Sequence, residues 1–418
     1  MDEEEGRWFL GVDWGSAEHW ARLAAAGGGG RLGPRRFAHG GEGLAALADW
    51  ALAASGVRPE EIWVAIEVPH GPVVESLIER GSRVFSINPK QADRFRDRFS
   101  PAGAKDDSRD AEVLADALRT DPRAFREIRP TPALIVELRE WSRMHDELVA
   151  EHGRAASQLR EQLWRYYPQA LELAGRDAGA DWFLELLTLA PTPEKAQRLR
   201  KDAVQRLIRR HRLRRIDAAG VIDTLRAQPL TVAPGAVEAA SAHVGLLAGR
   251  LGLINRQKRQ VRVRLDQLLE ACQQDDTWGQ GEAQRDVTVL RSLPGVGRTV
   301  LATLLAEAFE PLQRRDYHAL RCLGGVAPVT RRSGKTILVL QRRAANQRLA
   351  NALYHWARVA AQRDPVCKAK YAALRGSGHA HARALRSIAD RLLGVACAML
   401  QAQITFDPNH ARDTRHAA

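Results

Sequence analysis

The sequence is poor in cysteine and has no long apolar run. Its 418 residues include four widely spaced cysteines, Cys272, Cys322, Cys367 and Cys397, and no CxxC pair. This spacing indicates neither a zinc site nor a disulfide framework, and it fits a reducing cytoplasm. No run of about eighteen apolar residues occurs, so we expect no membrane span. The acidic start, Met1 to Glu5, is unlike a signal peptide.

Acidic residues are the minority among the charged ones. The chain has 63 Lys and Arg against 50 Asp and Glu, a formal net charge of +13 and a pI of about 10.1. An excess of this size is typical of proteins that bind a polyanion, usually nucleic acid. The chain is also rich in Arg and Ala, as GC-rich genomes favour, so the charge is one indication among several.

Strands alternate with helices over the first 130 residues. We predict apolar strands at 7–12, 20–24, 62–66 and 83–87, and helices at 43–54, 73–79 and 90–98. Strands alternating with helices predict an α/β domain with a mixed sheet. The length allows about two to four domains in all.

The rest of the chain is predicted to be mainly helical. Long amphipathic patterns at 134–167 and 237–272 flank a small basic insert, which predicts an antiparallel or intermolecular coiled coil. A third, mostly α-helical domain starts near Asp286. We therefore predict four segments: 1–130, the helical connector 131–285, the C-terminal domain 286–405 and a disordered tail 406–418.

Four carboxylates are candidates for a metal site. Asp13 and Glu67 each follow a predicted strand, and they emerge at one edge if those strands are neighbours. Asp107 and Asp110 share one face of a helix that begins after a Pro/Gly turn. Four such oxygen ligands suit two Mg²⁺ ions, which can clamp both oxygens of a phosphoryl transfer. Taken singly, these acids are ordinary loop or first-turn carboxylates; their order favours the metal site.

Two glycine-containing segments in the C-terminal part have a functional and an ordinary interpretation. Gly295 and Gly297 lie between two helical patterns, where their N–H groups can approach a phosphate as in helix-hairpin-helix DNA binders, or merely connect helices. Ser333 follows Arg331 and Arg332 and precedes Gly334 and Lys335. Its hydroxyl needs a base or a metal to act as a nucleophile, and the basic neighbours can stabilise phosphate charge; alternatively Ser-Gly is a plain turn.

Three arginine-rich stretches are candidates for contacts with nucleic-acid phosphates. They cover residues 94–98, 209–215 and 256–264, and the residues we select are Arg94, Arg96, Arg98, Arg209, Arg210 and Arg212. Each stretch alone is a solvated helix face. Three in one chain favour nucleic acid.

Taken together, these motifs resemble one known family. The segments are Gly11–Gly15, Ala65–Glu67, Asp107–Glu112, Leu293–Gly297, Gly325–Pro328, Ser333-Gly334 and the run from Asn346 to Ala396. They resemble transposases of the insertion-sequence one-ten type, the DEDD recombinases guided by a bridge RNA. The match covers both end domains in the right order, and the helical middle matches only in character.

The resemblance implies a RuvC-like, RNase H-type first domain, a coiled-coil connector and a C-terminal transposase domain. It implies that Asp13, Glu67, Asp107 and Asp110 hold Mg²⁺, and that Ser333 attacks DNA and forms a covalent phosphoserine link. It further implies homo-oligomers, dimers or tetramers, with a composite active site between protomers. It also implies that a structured noncoding RNA pairs with donor and target DNA. We expect the protein in the bacterial cytoplasm, associated with the nucleoid when it acts, and with no membrane partner.

The chain also departs from its relatives, and rival functions stay open. Relatives often read Lys-Thr-Asp-Arg where this chain has Lys105-Asp106-Asp107-Ser108, and the Asp-x-x-Asp spacing selects Asp107 over Asp106. The basic insert matches no family motif. The rivals are a RuvC-like nuclease without a covalent intermediate and a non-catalytic nucleic-acid-binding protein. An actin-like or sugar-kinase ATPase is a weaker rival, because 11–15 resembles their phosphate loop.

Overall fold

The computed structural model describes residues 7–27, 30–98, 106–274, 282–334 and 336–407. It divides the chain into two compact units, residues 1–131 and 132–418. Most of the predicted disordered tail, residues 408–418, lies outside the described residues.

The first unit is built on a mixed sheet. Its six strands are β1 (Trp8–Trp14), β2 (Glu18–Ala25), β3 (Arg31–Ala38), β4 (Ile62–Ile66), β5 (Arg83–Ser86) and β6 (Arg126–Ile128). They lie in the order β3-β2-β1-β4-β5-β6. β1, β4 and β5 run parallel to one another, and the remaining neighbours are antiparallel. The predicted α/β domain with a mixed sheet is therefore confirmed.

Two strands, β3 and β6, were not predicted, because neither has the pattern of buried apolar residues on which the prediction depends. β3 is exposed at every residue except Phe37, and it contains Gly33, Pro34 and three arginines, so it carries no apolar alternation. β6 has only three residues, none of them buried. Both pair at an edge of the sheet, where backbone hydrogen bonds and not buried side chains define a strand.

Helices cover both faces of this sheet. They are α1 (Gly41–Ser55), α2 (Pro72–Glu79), α3 (Pro89–Asp97) and α4 (Asp107–Thr120). Alternate side chains of a strand point to opposite faces. Leu10 of β1 accordingly packs with apolar side chains of α1 and α2, whereas Phe9 packs with Leu114 of α4 and Ala92 of α3. α3 and α4 thus lie on the same face.

Two long antiparallel helices organise the second unit. They are α5 (Ala133–Tyr166) and α11 (Pro234–Gln274), close to their predicted bounds. Glu137 pairs with Arg264 (2.6 Å) and Glu151 with Arg250 (2.7 Å), so the helices run in opposite directions. Among the described residues, α11 is the one helix long and apolar enough to cross a membrane by length and composition alone, a test that core helices also pass. Its buried side chains are accounted for by packing inside this unit.

Each end of the helix pair belongs to a different hydrophobic cluster. The basic insert folds as five short helices, α6 (Pro168–Ala174), α7 (Asp181–Leu189), α8 (Pro193–Gln197), α9 (Lys201–Arg210) and α10 (Ala218–Arg226). These pack with Leu159 of α5 and Leu247 of α11. The opposite end, with Leu138 and Leu265, packs against the C-terminal helices.

The C-terminal part combines helices with one exposed hairpin. Its elements are α12 (Glu282–Ser292), α13 (Arg298–Glu307), α14 (Phe309–Gln313), α15 (Tyr317–Leu323), β7 (Val329–Ser333), β8 (Thr336–Leu340), α16 (Gln347–Arg363), α17 (Pro365–Gly376) and α18 (His381–Ala402). β7 and β8 form a separate two-stranded antiparallel sheet. All five residues of β8 are exposed although four of them are apolar.

The connection between α12 and α13 is docked on α16. The indole Nε1 of Trp356 donates to the carbonyl oxygen of Pro294 at 2.9 Å. Gly295 has a φ of +88°, and a Cβ there would lie 3.0 Å from both the Trp356 oxygen and the Ala360 nitrogen. Gly295 therefore serves close packing of two backbones. Gly297, by contrast, is exposed and has open space around its Cβ position.

We predict that Gly295→Ala lowers the free energy of unfolding by about 1–3 kcal/mol, because it adds backbone strain and a clash with α16. Gly297→Ala is the matched control and should leave stability nearly unchanged. Urea unfolding followed by circular dichroism measures both. Equal stability of the two variants would contradict the packing role of Gly295.

Candidate metal centre

Three of the predicted carboxylates converge in the first unit. Asp13 lies near the end of β1, Asp107 is the first residue of α4 and Asp110 lies one turn further. One carboxylate oxygen from each lies within 4.8 Å of the other two. Asp110 is buried, Asp13 is half-buried and Asp107 is exposed, so the cluster opens to solvent at Asp107. Carboxylate oxygens are the donors that Mg²⁺ prefers, and this donor set fits that ion.

Asp106 has a different task from its neighbour. Its side chain caps α4: one carboxylate oxygen accepts from the Ser108 nitrogen at 3.3 Å and the other from Ser108 Oγ at 2.9 Å. An acid at this position satisfies a free N–H at the start of a helix. The structure thus places Asp107 in the cluster and Asp106 at the cap.

Gly11 sets how closely α4 approaches β1. A Cβ at Gly11 would lie 1.9 Å from the Ala111 oxygen and 2.6 Å from the Ala115 nitrogen. The helix backbone therefore occupies the space that any other side chain would need. This contact brings Asp107 and Asp110 next to Asp13. Sequence reasoning missed this role, although a glycine inside an apolar strand signals a close backbone approach.

Glu112 ties the same helix to the neighbouring strands. Its carboxylate pairs with Arg22 of β2 at 3.0 Å and with Arg31 of β3 at 2.8 Å. The Glu112 side chain is about one quarter exposed, which makes these charge-assisted bonds stronger than those of a fully solvated pair. They hold α4 across the antiparallel edge of the sheet.

Glu67, the fourth predicted ligand, is linked to the carboxylate cluster by an arginine that contacts both Glu67 and Asp110. It follows β4 and is not one of the three converging carboxylates. Arg96 of α3 lies 3.6 Å from Glu67 Oε1 through Nη2, and its Nε donates to Asp110 Oδ1 at 2.6 Å. Its Nη1 donates to Asp93 at 2.6 Å. Although burial opposes its charge, Asp110 and Asp93 raise the pKa of Arg96.

The turn after Asp13 is fixed by a buried histidine. The Gly15 N–H donates to Nδ1 of His19 at 3.3 Å, and Nε2 of His19 lies 3.0 Å from Nδ1 of His39. Because Nδ1 accepts, the neutral ring carries its proton on Nε2. Burial lowers the pKa of His19, and nearby His39 adds to this. A lowered histidine pKa costs stability as pH falls through the ordinary value, so acid loosens this turn.

Ser333 lies at the tip of the exposed hairpin in the second unit. It ends β7 and pairs with Thr336, the first residue of β8. The next residue, Gly334, has a φ of +55°, a conformation that glycine adopts readily. Arg331 and Arg332 are exposed on the same strand. Lys335, also predicted to contact phosphate, lies outside the described residues.

The remaining predicted phosphate contacts are mostly exposed. Arg94 and Arg98 lie on or just after α3 and are solvent-exposed, unlike Arg96, whose side chain is 20% exposed. Arg209 and Arg212 are exposed at the end of α9. Arg210 is exposed too, but it pairs with Glu185 of α7.

The mixed sheet and its oxygen ligands define a candidate divalent-metal site on an α/β domain, and sequence comparisons identify the family. Residues 10–168 match the family DEDD_Tnp_IS110, described as transposase. Residues 287–372 match Transposase_20, described as the transposase IS116/IS110/IS902 family. The chain belongs to the IS110/IS116/IS902 family of transposases.

Individual relatives agree with this assignment. The "Mini-circle putative transposase for IS117" of Streptomyces coelicolor is 32% identical over 96% of both chains. An uncharacterized 44.8 kDa protein of insertion element IS116 from Streptomyces clavuligerus is 28% identical over 98% of both. The "Putative transposase y4uE" of Sinorhizobium fredii is 58% identical over 50% of this chain, and the match spans 58% of that relative.

We predict that Asp107→Asn weakens Mn²⁺ or Mg²⁺ binding by about tenfold or more, because it removes one ligand charge. Asp106→Asn is the matched control, since Asn caps a helix as well as Asp does. Isothermal titration calorimetry on the full chain measures both affinities. If the adjacent Asp106→Asn variant lost the ion instead, the assignment of the two residues would be reversed.

We predict that Gly11→Ala separates α4 from β1 and therefore lowers both stability, by about 1–3 kcal/mol, and metal affinity. Gly41→Ala is the control, because a Cβ there meets no atom within 4 Å. Urea unfolding and Mn²⁺ titration measure the two effects. Unchanged metal affinity in Gly11→Ala would disprove the dependence of the site on this contact.

Proposed function

We propose that the protein is an RNA-guided DNA transposase that cuts and exchanges DNA strands through a covalent link between Ser333 and a DNA phosphate. The observation that carries the proposal is the convergence of Asp13, Asp107 and Asp110 in a chain of a transposase family. The central parallel strands, with acids at the ends of β1 and β4, support a RuvC-like, RNase H-type domain.

The carboxylates in this proposal hold Mg²⁺ at the DNA phosphate. A bound Mg²⁺ supplies Lewis-acid stabilisation of the negative charge on the phosphate oxygens. Asp13 and Asp107 offer the more accessible oxygens, and buried Asp110 anchors the cluster from within. Gly11 and Glu112 keep α4 in place, so that both of its ligands stay beside Asp13.

The serine step exchanges one phosphodiester bond for another. The Ser333 Oγ–phosphorus bond forms, the bond between phosphorus and one deoxyribose oxygen breaks, and the hydroxyl proton passes to the leaving oxygen. A second deoxyribose hydroxyl then forms a bond to the phosphorus, the Ser333 Oγ–phosphorus bond breaks and the hydroxyl proton returns to Oγ. One ester replaces another in each step, so no external energy source is needed. Arg331 and Arg332 offer fixed positive charge for the phosphate oxygens.

The partners in this proposal are donor and target DNA, a structured guide RNA and further copies of the chain. The net charge of +13 and the exposed arginines, among them Arg94, Arg209 and Arg212, support a polyanionic partner. Ser333 and the carboxylates belong to different compact units. The reaction therefore requires that an assembly bring both to one phosphate, within one chain or between two.

A RuvC-like metal nuclease is the second candidate. The carboxylate cluster alone is sufficient for metal-assisted hydrolysis of DNA, and that cluster lies wholly in the first unit. In this case Ser333 is a turn residue without chemistry. A non-catalytic nucleic-acid-binding protein would instead need neither the cluster nor the serine.

We predict that Ser333→Ala abolishes strand exchange and the covalent protein–DNA adduct, because no other atom replaces Oγ. Thr336→Ala, directly across the hairpin, is the control and should retain both. Denaturing gels with labelled DNA detect the adduct, and sequencing of joined products detects exchange. If the wild-type protein cuts DNA but forms no covalent adduct, the nuclease is favoured. If Ser333→Ala still exchanges strands, the serine mechanism is refuted.

Guidance by RNA has a separate test. The full-length protein is purified from cells that contain its flanking DNA, and the bound RNA is sequenced. We expect one discrete RNA that matches sequence beside the gene. A random sample of cellular RNA would argue against guidance while leaving the DNA chemistry open to the serine test.

A further inference from the structure

Arg96 projects into the acidic cluster from α3. Its guanidinium donates to Asp110 Oδ1 and to Asp93 Oδ1, both at 2.6 Å, and lies 3.6 Å from Glu67 Oε1. The Arg96 side chain is 20% exposed, and that of Asp110 is 5% exposed. Arg96 therefore contacts Asp110, one of the three converging carboxylates, and Glu67, the fourth acid predicted as a ligand.

The charges of this region explain why a fixed cation lies there. Asp13, Glu67, Asp107 and Asp110 together carry four negative charges, and close carboxylates repel one another strongly when partly buried. A guanidinium does not lose its proton in a protein, so Arg96 always contributes one positive charge.

Arg96 also occupies hydrogen-bonding capacity that a metal ion would need. One oxygen of Asp110 already accepts a short charge-assisted hydrogen bond, and Glu67 faces the same guanidinium. An ion between Asp110 and Glu67 would compete with Arg96 for these oxygens. One oxygen each of Asp13, Asp107 and Asp110 still lies within 4.8 Å of the other two, which leaves room for one ion there.

We propose that Arg96 is a positioning residue that takes the place of a second metal ion while the protein is free of nucleic acid. It bridges Asp110 and Glu67 and limits the cluster to one divalent cation, held by Asp13, Asp107 and Asp110. This inference rests on the proposed metal site, and it replaces the two ions expected from the sequence by one ion and one guanidinium.

The experiment compares Arg96→Met with Arg80→Met in the full-length protein. Arg80 pairs with Asp49 at 3.4 Å in the same unit, so the control removes an arginine and an ion pair outside the cluster. Calorimetric titration with Mn²⁺ alone gives stoichiometry and affinity. We expect one ion in the wild type and in Arg80→Met. In Arg96→Met we expect a second ion, and about tenfold or tighter binding of the first, because a competing charge is removed.

Thermal unfolding supplies a readout that does not depend on activity. With a chelator present, Arg96→Met should unfold at a lower temperature than the wild type, since the carboxylates then repel one another unscreened. Mn²⁺ should raise its unfolding temperature by more than that of the wild type, because binding to the folded state stabilises it. Arg96→Lys, which keeps the charge, should bind one ion.

Specific results would overturn the inference. Two ions in the wild type, or weaker binding of a single ion in Arg96→Met, would show that Arg96 only supports its neighbours. If Arg96→Met does not fold, Arg96→Gln removes the charge and keeps a hydrogen-bond donor for Asp110, and the same outcomes apply. Absence of any Mn²⁺ binding by the wild type, indistinguishable from Asp107→Asn, would instead refute the metal site itself.

Discussion

The backbone contact between Gly11 and α4 is the constraint on which the candidate site depends. Because Gly11 has no side chain, the Ala111 carbonyl lies where a Cβ would be. Two ligands on α4 and one on β1 then meet without long or flexible side chains, since aspartate is the shortest acid. A site assembled from short side chains on rigid elements keeps its geometry better than one built on loops. The sheet thus sets the precision of the chemistry.

Electrostatic balance is the second requirement of the first unit. Asp107 and Asp110 bring negative charge to a helix N-terminus, which the helix dipole favours. Glu112 on the same helix finds Arg22 and Arg31, and Asp110 finds Arg96. Each of these three acids of α4 thus has a cation or the helix N-terminus nearby. In the second unit, apolar packing is the main feature: α5 and α11 contribute to one hydrophobic cluster at each end of the helix pair.

Much of this arrangement could be predicted from the sequence, and the failures have physical reasons. The four apolar strands, the helix at Asp107 and the two long helices follow from side-chain periodicity, which is local. β3 and β6 could not be found in this way, because edge strands depend on pairing with β2 and β5. The sequence did predict that Asp13, Asp107 and Asp110 belong to one metal site. The position of Arg96 was not, since spacing along α3 does not tell which arginine faces a neighbouring helix.

The cap of α4 changes the meaning of a difference between this chain and its relatives. The family resemblance leads us to expect threonine at the position of Asp106, directly before the candidate ligand Asp107. Threonine and aspartate both cap helices by accepting a hydrogen bond from the backbone two or three residues on. Asp106 performs that same service through Ser108. The two residues are therefore equivalent as helix N-caps. A threonine-to-aspartate difference at this position keeps the cap of α4 and does not change the candidate metal ligands.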